Sequence, residues 1–140
     1  MILAQTVSHI IGYDIWFYIS HVLLHMPQLY WIHKDHHVTR KILFYDAYTG
    51  HWLESPLQSL GFFLPLLLWS YNTPGFFIAL AILNIRGMLR HDARGIWLIG
   101  NHHLLHHEHF QWNYGEYWID SLCGTTYPRV DEYRRGILYF

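Results

Sequence analysis

The apolar positions of this chain gather into runs separated by polar, histidine-bearing stretches. The first run, Ile2 to Leu24, has Gly12, Asp14 and Ser20 as its only marked breaks. At about 20 residues it predicts a helix that could cross, or nearly cross, a bilayer core. Pro27 should end or bend that helix, because proline lacks the backbone donor and clashes with the preceding turn. The longest run, Pro56 to Leu83, is broken by Tyr71-Asn72-Thr73-Pro74-Gly75, which reads as a turn. Each arm is about 15 residues, or roughly 22 Å of helix, short of a ~30 Å hydrocarbon core. A helical hairpin that dips in and returns is therefore predicted. Between these runs, Phe44 to Glu54 is aromatic and suited to lie along an interface. After a short apolar patch at Ile96 to Ile99, the segment following Gln111 mixes aromatics with turn residues and should dock back under the helices. The pattern assigns no role to the tail from Arg129 to Phe140.

Composition turns this into a lipid-facing reading. Only 14% of residues are charged, against roughly a quarter in soluble domains. Seven Trp and eleven Tyr suit a bilayer interface. The expected fold class is all-α: an integral membrane helical bundle carrying a cytoplasmic His-rich metal-binding cap. One domain, 1–140, would hold a membrane helix at about 2–25, a hairpin at about 56–90, and the cap at 28–54 and 91–128. Arg40 and Lys41, and later Arg86, Arg90 and Arg94, mark the cytoplasmic side. A formal charge of −1 gives no basic field, so nucleic-acid binding has no support. The single Cys123 excludes an intramolecular disulfide and a cysteine-based zinc finger, and is expected as a small buried packing residue. No Lys or Arg precedes the first apolar run, so a cleavable signal peptide is not expected.

The chemistry lies in the histidines. The stretch Gly100 to Phe110 reads G-N-H-H-L-L-H-H-E-H-F, and as a helix it puts His103, His106 and His107 on one face at i, i+3 and i+4. The same spacing occurs at His33, His36 and His37, and His21 and His25 stand one turn apart before Pro27. With His91, nine imidazoles could converge at one membrane face. One metal with four to six ligands cannot use nine, whereas two metals can. The hairpin must then return to its starting side, since a single bent crossing would separate the two triplets by a bilayer. Imidazole suits iron, zinc, copper and nickel alike. His51 and Glu54, at i, i+3, are candidates to support such a site from behind its ligands. His102 and His109 point away from the 103/106/107 face and should be supporting or surface groups; His9 should be buried or interfacial. His107-Glu108 is followed by Gln111 rather than a second histidine, so the zinc-protease motif is absent. There is no G-x-S-x-G elbow and no phosphate-binding glycine loop.

The three boxes, their order, the hairpin, and the G-x-x-W-x-D-x-L-x-G-T signature at Gly115, Trp118, Asp120, Leu122, Gly124 and Thr125 resemble the sterol desaturase and fatty acid hydroxylase superfamily. The resemblance covers nearly the whole chain. It implies an integral membrane, O2-dependent oxidoreductase that hydroxylates or desaturates lipid C–H bonds at a site with two Fe ions. Zinc is a possible occupant after purification. Electrons would come from an external donor: a cytochrome b5-like protein, a ferredoxin or a flavin reductase. Carried over by position, the ligands are His21, His25, His33, His36, His37, His91, His103, His106 and His107. Asp35, Glu54, Asp92 and Asp120 are candidates to orient imidazole N–H groups, and aromatics from Trp112 to Trp118 to line or cap a lipid channel.

Two departures qualify the match. Many members carry a further histidine four residues before the one after the hairpin, and here that position is Gly87. One ligand would be missing, or replaced by water or Asn84. Only about twenty residues precede the first box, as expected of a minimal or truncated member. Two other classes remain: a haem-binding membrane protein, in which the triplets would be surplus, and a metal-binding protein without turnover. An acyl-chain desaturase also uses three histidine boxes, but the W-x-D-x-L-x-G-T segment favours the hydroxylase side.

Overall fold

The computed structural model describes residues 1–38, 42–67 and 72–138. Helix α1, Ile2–Leu24, runs through the first apolar stretch with the predicted bounds. A short α2, Tyr30–His33, continues as a 3-10 turn, Lys34–His37. A second 3-10 turn, Phe44–Tyr48, precedes α3, Glu54–Phe63, which tightens into Leu64–Leu67. Helix α4, Thr73–Arg90, returns along α1, and α5 (Ile96–Ile99), α6 (His102–Glu108) and α7 (Tyr117–Cys123) close the far end. The described residues contain no strand, so the all-α expectation holds.

Both arms of the hairpin are present, and part of the predicted turn is helix. Thr73, Pro74 and Gly75 already form the first turn of α4; residue 71 lies outside the described residues. Asn72 caps the helix, its Oδ1 accepting from Gly75 N at 2.9 Å, and Pro74 sits where its missing N–H costs nothing. The same residue types that signal a turn thus start a helix.

Helix α1 packs against α3 and α4, and its contact with α3 is backbone to backbone. A Cβ added at Gly61 would lie 2.6 Å from Gly12 O, and one at Gly12 would lie 2.9 Å from Gly61 O. Trp16 Nε1 donates to Leu57 O at 2.7 Å, Thr6 Oγ1 to Gly75 O at 3.2 Å, and His9 Nδ1 to Phe62 O at 2.7 Å. His9 is therefore buried, in a packing role. Phe62, Ala79 and Leu83, flanked by Ile10, Tyr13 and Phe76, form the small apolar core between the three helices.

The chain is otherwise inverted. Among the described residues nine hydrophobic ones are buried against 21 polar or charged ones, while Leu3, Val7, Ile11, Ile15, Ile19 and Leu23 form an exposed band along α1. Exposed Phe77, Ile78, Leu80, Ile82 and Ile85 extend it on α4. An apolar exterior of this extent marks a surface that contacts something other than water. Even so, no helix among the described residues is long and apolar enough to cross a membrane. This corrects the expectation of a crossing at 2–25: the face of α1 turned inward carries Gln5, Thr6, His9, Asp14 and Ser20.

The arginines also need correction. Arg86 pairs with Asp14 and, at 3.3 Å, with Glu116; Arg90 pairs with Glu116. Two cations and two anions bury together with no net charge, which joins α1, α4 and the loop before α7. Of Arg86, Arg90 and Arg94, the last alone is exposed, paired with Asp92. Arg86 and Arg90 are thus internal ties, and Arg40 and Lys41 lie outside the described residues. Cys123, expected to be buried, is exposed at the end of α7.

Candidate metal centre

Five elements bring the nine histidines to one end of the molecule. The last turn of α1 carries His21 and, at its C-terminal cap, His25. His33 ends α2, His36 and His37 lie in the following turn, His91 caps α4, and α6 carries His103, His106 and His107. They separate into two groups. His21, His25, His33, His37 and His106 form one, and His36, His91, His103 and His107 the other; within each, the donor atoms lie within 4.8 Å of one another. Each H-x-x-H-H triplet is divided between the groups. His33 and His37 face one centre and His36 the other, while His106 faces the first and His103 and His107 the second. The shared helix face inferred from the sequence does not become a shared group.

In the five-histidine group the Nε2 atoms of His21 and His33 are 2.9 Å apart, His33 and His37 2.8 Å, His25 and His106 3.1 Å, and His37 and His106 3.3 Å. In the four-histidine group, His36 and His91 are 3.0 Å apart, His91 and His103 3.1 Å, and His103 and His107 3.2 Å. Such separations alone could be hydrogen bonds, but the opposite ring nitrogens decide otherwise. His36 Nδ1 donates to Thr49 O at 2.9 Å, and His91 Nδ1 to Gly87 O at 2.7 Å. A carbonyl can only accept, so each neutral ring has its proton on Nδ1 and a lone pair on Nε2. Two lone pairs facing each other at 3.0 Å repel unless a cation lies between them. His21, whose Nδ1 donates to Tyr114 O, and His106, whose Nδ1 donates to Trp112 O at 2.7 Å, likewise carry the ring proton on Nδ1 and turn an Nε2 lone pair into their group. Nitrogens about 2.0–2.1 Å from one cation lie about 3.0 Å apart when they bind at right angles. The donor set therefore fits two transition-metal ions of the kind imidazole favours.

Burial keeps these rings neutral. His33, His37 and His107 are pushed far below the usual histidine range, chiefly by burial and then by neighbouring imidazoles. His91 falls to about 3, from burial and then His36, with its bond to Gly87 opposing. A neutral ring is the form that ligates. The Nδ1 atoms of His37, His103 and His107 are buried without a partner.

Among the residues proposed to stand behind the ligands, Glu54 does so: its Oε1 lies 2.7 Å from His33 Nδ1. Burial, then the charge of Asp35, pushes its carboxyl up to about 8; Asp35 itself is exposed. His51 packs against Trp31 and Trp52, and its Nδ1 accepts from Leu53 N at 3.3 Å, so it supports no cluster histidine. Asp92 is taken by Arg94, whose hydrogen bonds hold its carboxyl low, and it also accepts from Phe44 N at 3.3 Å. His91 turns instead to a backbone carbonyl one helical turn earlier.

Asp120 acts one step away. It is fully buried and accepts from Tyr114 N, Gly115 N, Thr125 Oγ1 and His102 Nε2 at 2.7–2.9 Å. Those bonds fix the loop whose Tyr114 carbonyl holds His21. His102 is buried in this supporting role and is no surface group; His109 stacks on Tyr127 with 4.2 Å between ring centres. The carbonyls of Thr49, Gly87, Trp112 and Tyr114 were not identified from sequence, because every residue has one. The tail, unassigned before, straps this end: Asn101 donates to Glu132 O and accepts from Arg134 N, and Leu138 N donates to Leu98 O.

A cavity of about 290 Å³ runs from between α1, α3 and α4 to the histidines. Phe17, Phe62, Phe63, Phe76, Leu80 and Leu83 give it apolar walls, and His21 and His33 of one group and His36, His91 and His103 of the other form its floor. Ser55, Gln58, Ser59, Tyr48 and Asn84 add polar groups. None of the residues from Trp112 to Trp118 lines it, so that part of the channel expectation is corrected: the aromatics come from the helices. Tyr114 instead packs its ring against His21, His25 and His106.

Residues 6–125 match the family model described as fatty acid hydroxylase. A Delta(7)-sterol 5(6)-desaturase of Gibberella zeae is 29% identical over 95% of this chain and 46% of its own length. The Delta(7)-sterol 5(6)-desaturase of Saccharomyces cerevisiae is 27% identical over 82% of this chain and 33% of its own. Methylsterol monooxygenase 1 of Rattus norvegicus is 32% identical over 80% and 43%, respectively. The chain thus spans less than half the length of these relatives. No solved structure matches it.

Proposed function

The chain belongs to the fatty acid hydroxylase family, and from that premise we propose that it oxidises a C–H bond of a lipid, by O2-dependent hydroxylation or desaturation, at a centre of two iron ions. The observation that carries this reading is the apolar cavity whose floor is the histidines of both groups. A sterol or related lipid is the proposed substrate class, in keeping with the names of the relatives. When bound and reduced by an external electron donor, the iron ions supply O2 activation for attack on an unactivated carbon.

The protein's part is positional. Phe17, Phe62, Phe76 and Leu83 would hold an apolar substrate against the floor and exclude water from it. Gly87, Thr49, Trp112 and Tyr114 carbonyls hold the Nδ1 protons of His91, His36, His106 and His21, which aims each Nε2 lone pair inward. Glu54 orients His33 from behind, with its Oε1 2.7 Å from the ring Nδ1. We place the exposed apolar band of α1 and α4 in a bilayer, with the histidine end at its cytoplasmic face and a separate redox protein docking there. The haem alternative loses ground, because five nitrogens within 4.8 Å leave no space for a porphyrin plane.

The test is lipid mass spectrometry of cells expressing the wild type beside His106→Ala. An oxidised lipid found with the wild type alone supports the reading. Identical lipid profiles from a wild type that carries two metal ions would leave the metal-binding role without turnover.

A further inference from the structure

The two histidine groups are unequal: five donors converge in one and four in the other. The four-histidine group is short on the side of Gly87. Gly87 lies in α4 one turn before His91, so the two positions share a helix face. A Cβ added there would meet nothing within 4 Å, and Gly87 lines the cavity together with His36, His91 and His103. The nearby polar side chain does not fill the gap. Asn84 Oδ1 accepts from Tyr48 OH at 2.7 Å and its Nδ2 donates to Leu80 O at 2.7 Å. The Gly87 carbonyl is meanwhile turned to His91 Nδ1 at 2.7 Å, and glycine has no side-chain donor to offer a metal.

We propose that Gly87 leaves a coordination place open on the four-histidine metal, facing the cavity, and that a small exogenous anion binds there. The inference rests on the metal-centre reading above. It makes the two ions inequivalent: the four-histidine ion is the more exchangeable and the more accessible to ligands from the cavity.

Cobalt(II) and azide test it without reference to turnover. Apo-protein is loaded with cobalt(II), its metal content is measured, and azide is titrated while the visible spectrum is followed. The wild type should show an azide-dependent band that Gly87→His loses, because a fifth imidazole takes the place. Gly87→Ala, which adds bulk without a donor, should keep it. In chelator competition the wild type should release its two cobalt ions in two steps, and Gly87→His should hold the weaker one at least tenfold more tightly. A Gly87→His protein that carries two cobalt ions and binds azide as the wild type does would overturn the inference alone. Failure of the wild type to hold two ions would overturn the metal-centre reading, and the inference with it.

Discussion

Gly61 and Gly87 are both helix-interior glycines, so alanine at either makes the same covalent change, yet the structure gives the two opposite signs. In a helix interior Gly→Ala gains about 0.8–1 kcal/mol, because the chain has less freedom to lose. At Gly87 the new Cβ meets nothing within 4 Å, so the gain should survive nearly whole. At Gly61 it would lie 2.6 Å from Gly12 O and inside the contact radius of Trp16 Cβ. Neither neighbour is the far end of a flexible side chain, so α1 must move as a body. Carbon contacts prefer about 3.5–4.0 Å, and overpacking of this kind costs about 1–3 kcal/mol or more. Taking the upper end and subtracting the helix gain leaves a net loss of about 2 kcal/mol. Thermal unfolding of the purified protein in detergent reads both variants against the wild type. Gly61→Ala should melt lower by several degrees and Gly87→Ala at or slightly above the wild type. If Gly61→Ala melts at or above the wild type, the close approach of α1 and α3 is not a constraint on stability and the argument fails.

Other expectations concern the histidine end. Glu54→Gln replaces the carboxyl that stands behind His33 Nδ1 with an amide and should weaken metal retention about 10–100-fold in chelator competition. His51→Ala and Asp92→Ala should leave metal content at the wild-type level, since His51 contacts Trp31 and Asp92 contacts Arg94; loss of metal from either would contradict the placement. Asp120→Asn turns an amide N–H₂ toward donors now held by a fully buried carboxylate, and should cost about 3 kcal/mol in unfolding experiments. Because Asp120 fixes Tyr114, the same variant should also lower metal content, whereas a purely local effect would leave it unchanged.

Helix α1 and the hairpin were legible because apolar runs bounded by Pro27 and by the Asn72–Gly75 segment report local structure directly. The nine histidines were legible because spacing at i, i+3 and i+4 is a local property as well. Their division was not. His36 and His37 are neighbours in sequence yet serve different centres, and that depends on how the turn after α2 meets α4 and α6. Asp92, adjacent to His91, looked like its partner; chain geometry gives it to Arg94 instead. The acceptors that fix ring protonation are mostly backbone carbonyls, and no residue type announces a carbonyl. Exposure was likewise undetermined: the composition indicated an apolar surface, but only packing shows that α1 turns Gln5, Thr6, His9 and Asp14 inward and Ile11, Ile15 and Ile19 outward.

The sequence by itself determined which side chains could bind metal and which segments are helical, because both follow from contacts within a few residues. The tertiary structure alone decided that they form two unequal groups beneath one apolar cavity, because that depends on distances between residues far apart in the chain, as for His25 and His106, 81 positions apart.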